Sequence, residues 1–211
     1  VRNRTSFRAI ILIRGFREVL QYRRTVIFTL IWGFVTGSFL VYLSTSQMIF
    51  ELQYGVEDLF PYLFAALAIT IGAATFLNGS LVVRLGMRRL IGVSLISFTA
   101  ISLVYVLLYQ GRANPPVWIL MVFLCLQFFS IGFLFGNLRA MAMEPLGHIA
   151  GLGAAITGFM ASVLSVGLSA WIGSFVSETA YPMFLGFLVC GMISLLLLGY
   201  SQYRYRASGT S

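Results

Sequence analysis

FGNLRAMAMEPLGHIAGLGAAITG, residues Phe135 to Gly158, decides the fold. It begins as the tail of one apolar run and ends inside the next, and between the two sit the polar positions Asn137, Arg139, Glu144 and His148. Pro145 has no backbone N–H and disfavours helix in the residue before it, so the chain is expected to break at Met143–Glu144. Gly147, Gly151 and Gly153 lead into a run carrying Gly151, Ala154, Gly158, Ser162, Ser165, Ser169 and Gly173 at steps of three or four. Lipid is as apolar as leucine, so helices inside a bilayer associate by close packing, which small residues at the helical repeat permit. The stretch reads as a tight cytoplasmic turn feeding a helix that packs against other helices.

Working outward, the whole chain has the same character. Its 211 residues are 59% hydrophobic and 9% charged, against about 25% charged in a typical soluble domain. Six apolar runs approach the roughly 20 residues that a bilayer requires of a helix: 25–50, 60–83, 90–108, 117–138, 149–174 and 182–200. Backbone groups in lipid must be paired internally, and the alternating polarity of a barrel is absent, so these runs are expected to be helices. The expectation is an all-α membrane protein: a basic lead over 1–24, a six-helix bundle over 25–203 and a tail over 204–211. The end of that tail, Ala207–Ser211, reads as unstructured. The first apolar run is too long for a signal core, so no cleavable signal is expected.

Arginine placement gives the orientation. The lead carries Arg2, Arg4, Arg8, Arg14, Arg17, Arg23 and Arg24; the turn after the second run carries Arg84, Arg88 and Arg89; Arg139 follows the fourth, and Arg204 and Arg206 follow the sixth. The opposite loops hold Arg112 and the acids Glu51, Glu57, Asp58 and Glu178. Both termini are therefore expected in the cytoplasm. In the lead, Phe7, Ile10, Ile11, Ile13, Phe16, Val19 and Leu20 recur among arginines at helical intervals, the pattern of an amphipathic helix on the inner leaflet.

The net charge of +8 does not point to nucleic acid, because the arginines sit at the ends of apolar runs rather than on one polar face. One histidine and two separated cysteines, Cys125 and Cys190, give no metal site, and no catalytic constellation or cofactor motif is present. Glu144 and His148 are four apart, but Pro145 and Gly147 interrupt a helical face, which favours hydrogen bonding in a turn over a proton relay. Polar residues inside the spans are costly and tend to face the bundle or a wet cavity. Ser38, Tyr42 and Ser46 at four-residue steps on the first span, with Gln47 adjacent, and Gln127, Ser130 and Asn137 on the fourth, read as two mildly polar faces. Aromatic residues nearby would complete a cavity for small amphipathic or apolar compounds.

The turn after the second run, Gly79-Ser-Leu-Val-Val-Arg84-Leu-Gly86-Met-Arg88-Arg89, resembles the signature G-x-L-x-D-R-x-G-R-[RK] of the major facilitator superfamily, with Val83 in place of the acid. The run Glu144-Pro145-Leu146-Gly147-His148-Ile149-Ala150-Gly151 is similar to the bicyclomycin-resistance (Bcr/CflA) multidrug-efflux subfamily, and Tyr42-Leu-Ser44-Thr-Ser46 resembles its Y-x-S-x-S-P, with Gln47 at the proline. The resemblance covers nearly the whole chain against the second six helices of a twelve-helix transporter. It implies one half of a major facilitator fold in a bacterial inner membrane, exporting drug-like compounds with protons as the coupling ion. The coupling carboxylate would lie in a first six-helix half, with substrate bound between the halves. Tyr42, Ser46, Gln47, Gln127 and Asn137 would line the cavity, and Gly79, Arg84, Gly86, Arg88 and Arg89 would form an inner gating turn. The rival expectation is a six-helix scaffold or subunit acting by association, including with a second copy.

The arginine count makes a direct prediction. With Cys125 and Cys190 replaced, a cysteine at Arg88 should react with an impermeant thiol reagent only from the cytoplasmic face, and one at Glu57 only from the other face. Labelling of both from one face would dismantle the topology.

Overall fold

The computed structural model of the chain describes residues 9–208, with side chains between 14 and 203. Arg2, Arg4, Phe7 and Arg8, the side chains of Ile10, Ile11, Ile13, Arg204 and Arg206, and residues 209–211 lie outside the described residues. The elements are α1 (Ala9–Gln21), α2 (Arg23–Met48) with a π-helical turn over Ile49–Gln53, a 3-10 turn at Glu57–Leu59, α3 (Phe60–Leu85), α4 (Met87–Tyr109), α5 (Val117–Met143), a 3-10 segment at Glu144–Ile149, α6 (Ala150–Gly173) and α7 (Tyr181–Ser208). Among the described residues, five continuous helical runs are long and apolar enough to cross a bilayer. One of them, Val117–Gly173, is α5 and α6 joined through the 3-10 segment, so six helices of crossing length result. The protein is an all-α, multi-pass membrane protein.

Prolines and one glycine set the boundaries. Pro61 and Pro182 sit in the first turns of α3 and α7, and Pro116 caps α5, where a missing N–H costs nothing. Pro145 lies two residues past the end of α5, and Leu146 in the segment it opens leaves helical geometry at φ −101° and ψ 19°. Between α3 and α4 the chain turns on Gly86 alone, whose φ of +79° would strain any side-chain-bearing residue. The spans differ from the sequence expectation at several ends. α3 continues past Val83 to Leu85, α5 past Leu138 to Met143, and α7 through Ser208, into the tail expected to be unstructured. Single arginines and asparagines do not stop an apolar helix; only the residues that break backbone geometry do.

α2 is central: it packs most extensively on α6 and also on α5 and α7, while α4 lies against α5 and α7, and α3 rests on α5. The core is aromatic. Tyr42, Phe50, Phe98, Tyr105, Phe128, Phe184 and Phe187 are fully buried, and the Tyr105 ring stacks on Phe184 at 3.8 Å. The α2–α6 contact depends on Gly33 and Gly37, a Gly-x-x-x-Gly pair that the sequence reading passed over. A Cβ on Gly33 would stand 2.7 Å from the Leu164 side chain, and one on Gly37 would stand 3.3 Å from the Ser165 Cα. The Ser165 hydroxyl donates to the Gly33 carbonyl at 2.9 Å, which only this closeness allows. At the α3–α5 contact a Cβ on Gly132 would lie 2.6 Å from the Ala74 Cβ and 2.8 Å from the Ile71 carbonyl oxygen.

The small-residue stripe of α6 does not act as one seam. Ser165 and Ser169 are buried toward α2, whereas Gly151 and Ser162 are exposed. The buried face runs instead through Gly153, Thr157, Ala161, Ser165 and Ser169, at steps of four, and the helix is turned so that Gly151, Ala155, Gly158 and Ser162 form a second, open edge. α1 also differs from expectation, because protein covers one side of it. Val19 is fully buried with Leu146 and Ile156, Gly15 admits Leu152, and Glu18 meets His148 at 2.7 Å. Phe16 and Leu20 remain exposed on its other side.

At the end opposite the arginines, three connections are tied together by uncharged groups. Asn114 donates to the Gln53 side-chain oxygen at 2.9 Å and accepts from the Ala180 N–H at 2.9 Å, while Gln53 donates to the Ser177 carbonyl at 3.1 Å. The Tyr54 hydroxyl donates to the Pro115 carbonyl at 2.7 Å, and burial raises its pKa above the ordinary phenol value.

Two substitutions test this packing by thermal unfolding in detergent. Gly132→Val should destabilise by about 1–3 kcal/mol, because backbone on α3 must retreat. Asn114→Ala leaves the buried Ala180 N–H unpaired and should cost about 1–3 kcal/mol. Wild-type stability in either variant would contradict the close contact or the network it probes.

Candidate functional site

The five cavity candidates sit on two helices, and the fold sends them in different directions. Tyr42 is fully buried, with its ring edge-to-face on Phe128 at 4.7 Å and parallel to Phe64 at 6.1 Å. Phe39 extends the cluster to Phe135 at 5.6 Å, so α2, α3 and α5 meet over aromatic rings. The Tyr42 hydroxyl is buried and has no hydrogen-bond partner among the described residues. Ser46 is buried and donates to its own helix, to the Leu43 carbonyl at 3.3 Å. Gln47 faces outward and donates to the Glu51 carboxylate at 3.1 Å.

On α5 the expected single polar face divides in two. The Gln127 amide donates to the Ser102 hydroxyl at 2.6 Å, and Ser130 donates to Ser97 at 3.3 Å, both toward α4. Asn137 donates to Asn78 of α3 at 2.7 Å and to the Phe133 carbonyl at 2.8 Å. The reason is helical geometry: at about 100° per residue, the small offsets from Gln127 to Ser130 to Asn137 add to roughly 80° of rotation. That is enough to change the neighbouring helix. Tyr42, Ser46, Gln127 and Asn137 are all buried within this bundle, so they occupy its interior contacts rather than one open wall. Gln127 keeps an unpaired buried oxygen, as the Tyr105 hydroxyl is also unpaired; neither Tyr105 nor Ser102 stood out in the sequence.

At the arginine-rich end part of the motif lies beside other elements. Gly86, Arg88 and Arg89 line a groove of about 330 Å³ together with Arg24, Leu85, Met87, Met141 and Glu144. Glu144 pairs with Arg24, whose guanidinium also approaches the Met141 sulfur at 3.6 Å. Glu144 and His148, read together in the sequence, are thus separated: one engages α2, the other Glu18 of α1, with Tyr22 at 6.3 Å from the His148 ring. Gly79 stands apart from the turn, exposed and six residues inside α3, since nothing between Asn78 and Leu85 interrupts that helix. Arg84 is in the last turn of α3. Pro145 is half-buried, while Gly147 and Gly151 are exposed. Among the described residues no group of three or more His, Cys, Asp or Glu side chains could hold a metal ion.

Large apolar side chains are exposed on α3, α4, α6 and α7, Phe159 and Trp171 of α6 among them. α4 and α7 expose large apolar side chains such as Val93, Ile96, Leu103, Val189 and Leu196. α3 has only Leu67 and Ala74 buried, and beside exposed Tyr62, Ile69 and Phe76 it carries an open stripe of Ala65, Ala68, Gly72, Thr75 and Gly79.

No family model matches the chain. A curated protein of Bacillus subtilis (strain 168), described as the uncharacterized MFS-type transporter YdgK, is 26% identical over 195 residues, covering 91% of this chain and 48% of the relative. The chain therefore spans about half the length of the curated relative that it matches. Among the described residues the chain is a multi-pass helical membrane protein, and over most of its length it is similar to a protein described as an MFS-type transporter.

Proposed function

We propose that this chain is the carboxy-terminal half of a proton-coupled multidrug-efflux transporter of the bicyclomycin-resistance type, seated in a bacterial inner membrane. It would export small amphipathic or apolar compounds by alternating access, together with a first six-helix half. The observation that carries the reading is the match of nearly the whole chain to half of a transporter-type relative. The two halves of such transporters are pseudo-symmetric and bind substrate between them. A second feature agrees. The open small-residue edges of α3 and α6 are suited to close helix contact, whereas the bulky outer faces of α4 and α7 suit lipid.

In this reading both termini and the Gly86 turn face the cytoplasm, and Arg84, Arg88 and Arg89 belong to the inner gate. Tyr42 and Ser46 act from within the aromatic cluster, Gln127 and Asn137 hold the helices that carry it, and Gln47 is the candidate already open to the space beside α2. Protons are coupled by a carboxylate of the other half, since the acids described here lie at helix ends and connections. The same open stripes also favour a second reading, in which two copies of the chain associate as a scaffold without transport.

Cells expressing this chain alone should show no proton-dependent drug efflux, and co-expression with a first half from the bicyclomycin-resistance subfamily should restore it. Gly72→Cys should then cross-link to a cysteine in that first half. Efflux by the chain alone would overturn the half-transporter reading, and a Gly72→Cys homodimer that persists beside the first half would favour self-association.

A further inference from the structure

The groove at the arginine-rich end brings basic and apolar side chains of several elements together. Its walls are Arg24 from α2, Arg88 and Arg89 from α4, and Glu144 after α5, with Leu85, Met87 and Met141 as apolar floor. Arg24 and Glu144 pair with each other there, and Arg89 adds a further guanidinium to the same groove. A guanidinium has five N–H donors, and the pair with Glu144 uses only part of the Arg24 set. Arg89 is exposed in the first turn of α4.

The surface above the groove shows what kind of anion fits. Four and seven residues beyond Arg89 on the same face of α4 come Val93 and Ile96, which are 60% and 59% exposed. An apolar track of this helix therefore rises from the basic groove toward the middle of the span. A free phosphate would use the arginines and leave that track idle. An acidic protein segment would need polar partners beside it, and Val93 and Ile96 offer none. A molecule with an anionic head and hydrocarbon tails matches both parts, and basic pockets between spanning helices at the cytoplasmic surface suit anionic lipid headgroups.

We propose that this groove seats the phosphodiester of an anionic phospholipid, held by Arg89 and Arg24, with its acyl chains along Val93 and Ile96 of α4. The bound lipid ties the α3–α4 turn to the start of α2 and the end of α5, which the Arg24–Glu144 pair and the Met141 contact already join to each other. The inference needs only a spanning chain with this turn at a headgroup layer, so it stands or falls separately from drug export.

The test uses the full chain in nanodiscs of phosphatidylcholine with a minor fraction of phosphatidylglycerol, and mass spectrometry of the lipid that stays with the protein after detergent extraction. The native chain should retain phosphatidylglycerol above its share of the mixture. Arg89→Gln, in an exposed position, should weaken retention about fivefold, the equivalent of roughly 1 kcal/mol for one arginine near a headgroup. Arg89→Lys, which keeps the charge, should retain most of it, with unchanged helical circular dichroism in both variants. Retention in proportion to the mixture, or equal retention by Arg89→Gln, would overturn the proposal. So would displacement of the lipid by millimolar inorganic phosphate, which would mark a soluble-anion site instead.

Discussion

How closely two helix backbones can approach governs this structure. Inside lipid there is no hydrophobic gain in bringing one apolar helix to another, so association depends on packing and on the polar contacts that packing permits. Gly33 and Gly37 let α6 reach α2 until a serine hydroxyl bonds a main-chain carbonyl across the gap. Gly132 does the same for α3 on α5, where the Thr75 hydroxyl reaches the Gly132 carbonyl at 3.3 Å. The large rings then fill the space left between these tight seams, with Tyr42 and Phe128 under α3, and Tyr105 stacked on Phe184.

The two ends of the bundle are closed by different chemistry. At the arginine-rich end, charged pairs fasten the α5–α6 connection: Arg24 with Glu144, and Glu18 with His148. These contacts are partly exposed, and each is worth little on its own in water. Their effect is to hold α1 and the start of α2 against the same 3-10 segment. At the other end neutral amides and a phenol join three connections, and the buried Ala180 N–H makes that network costly to open. A bundle fastened at both ends is suited to move as one body against a partner.

The surface divides accordingly. Bulky side chains on α4 and α7 gain nothing from a protein neighbour that lipid does not give. The small side chains along α3 and one edge of α6 leave shallow grooves, which lipid tails fill less closely than another helix does.

The sequence by itself determined the membrane-spanning, all-helical class and the residues at which the chain leaves helical geometry. Those follow from length, apolarity and backbone chemistry, as at Pro145 and Gly86, and each acts locally. It also marked the groups that converge at the Gly86 turn, because arginines beside a glycine break stay together in any fold. Only the tertiary structure decided which way each side chain faces. Gln127 and Asn137 lie on one helix at offsets that look equivalent, yet a rotation of roughly 80° sends one to Ser102 and the other to Asn78. The stripe on α6 divides for the same reason: its helix turns about its axis until Ser165 meets Gly33, and that angle depends on α2, which no local pattern in α6 encodes.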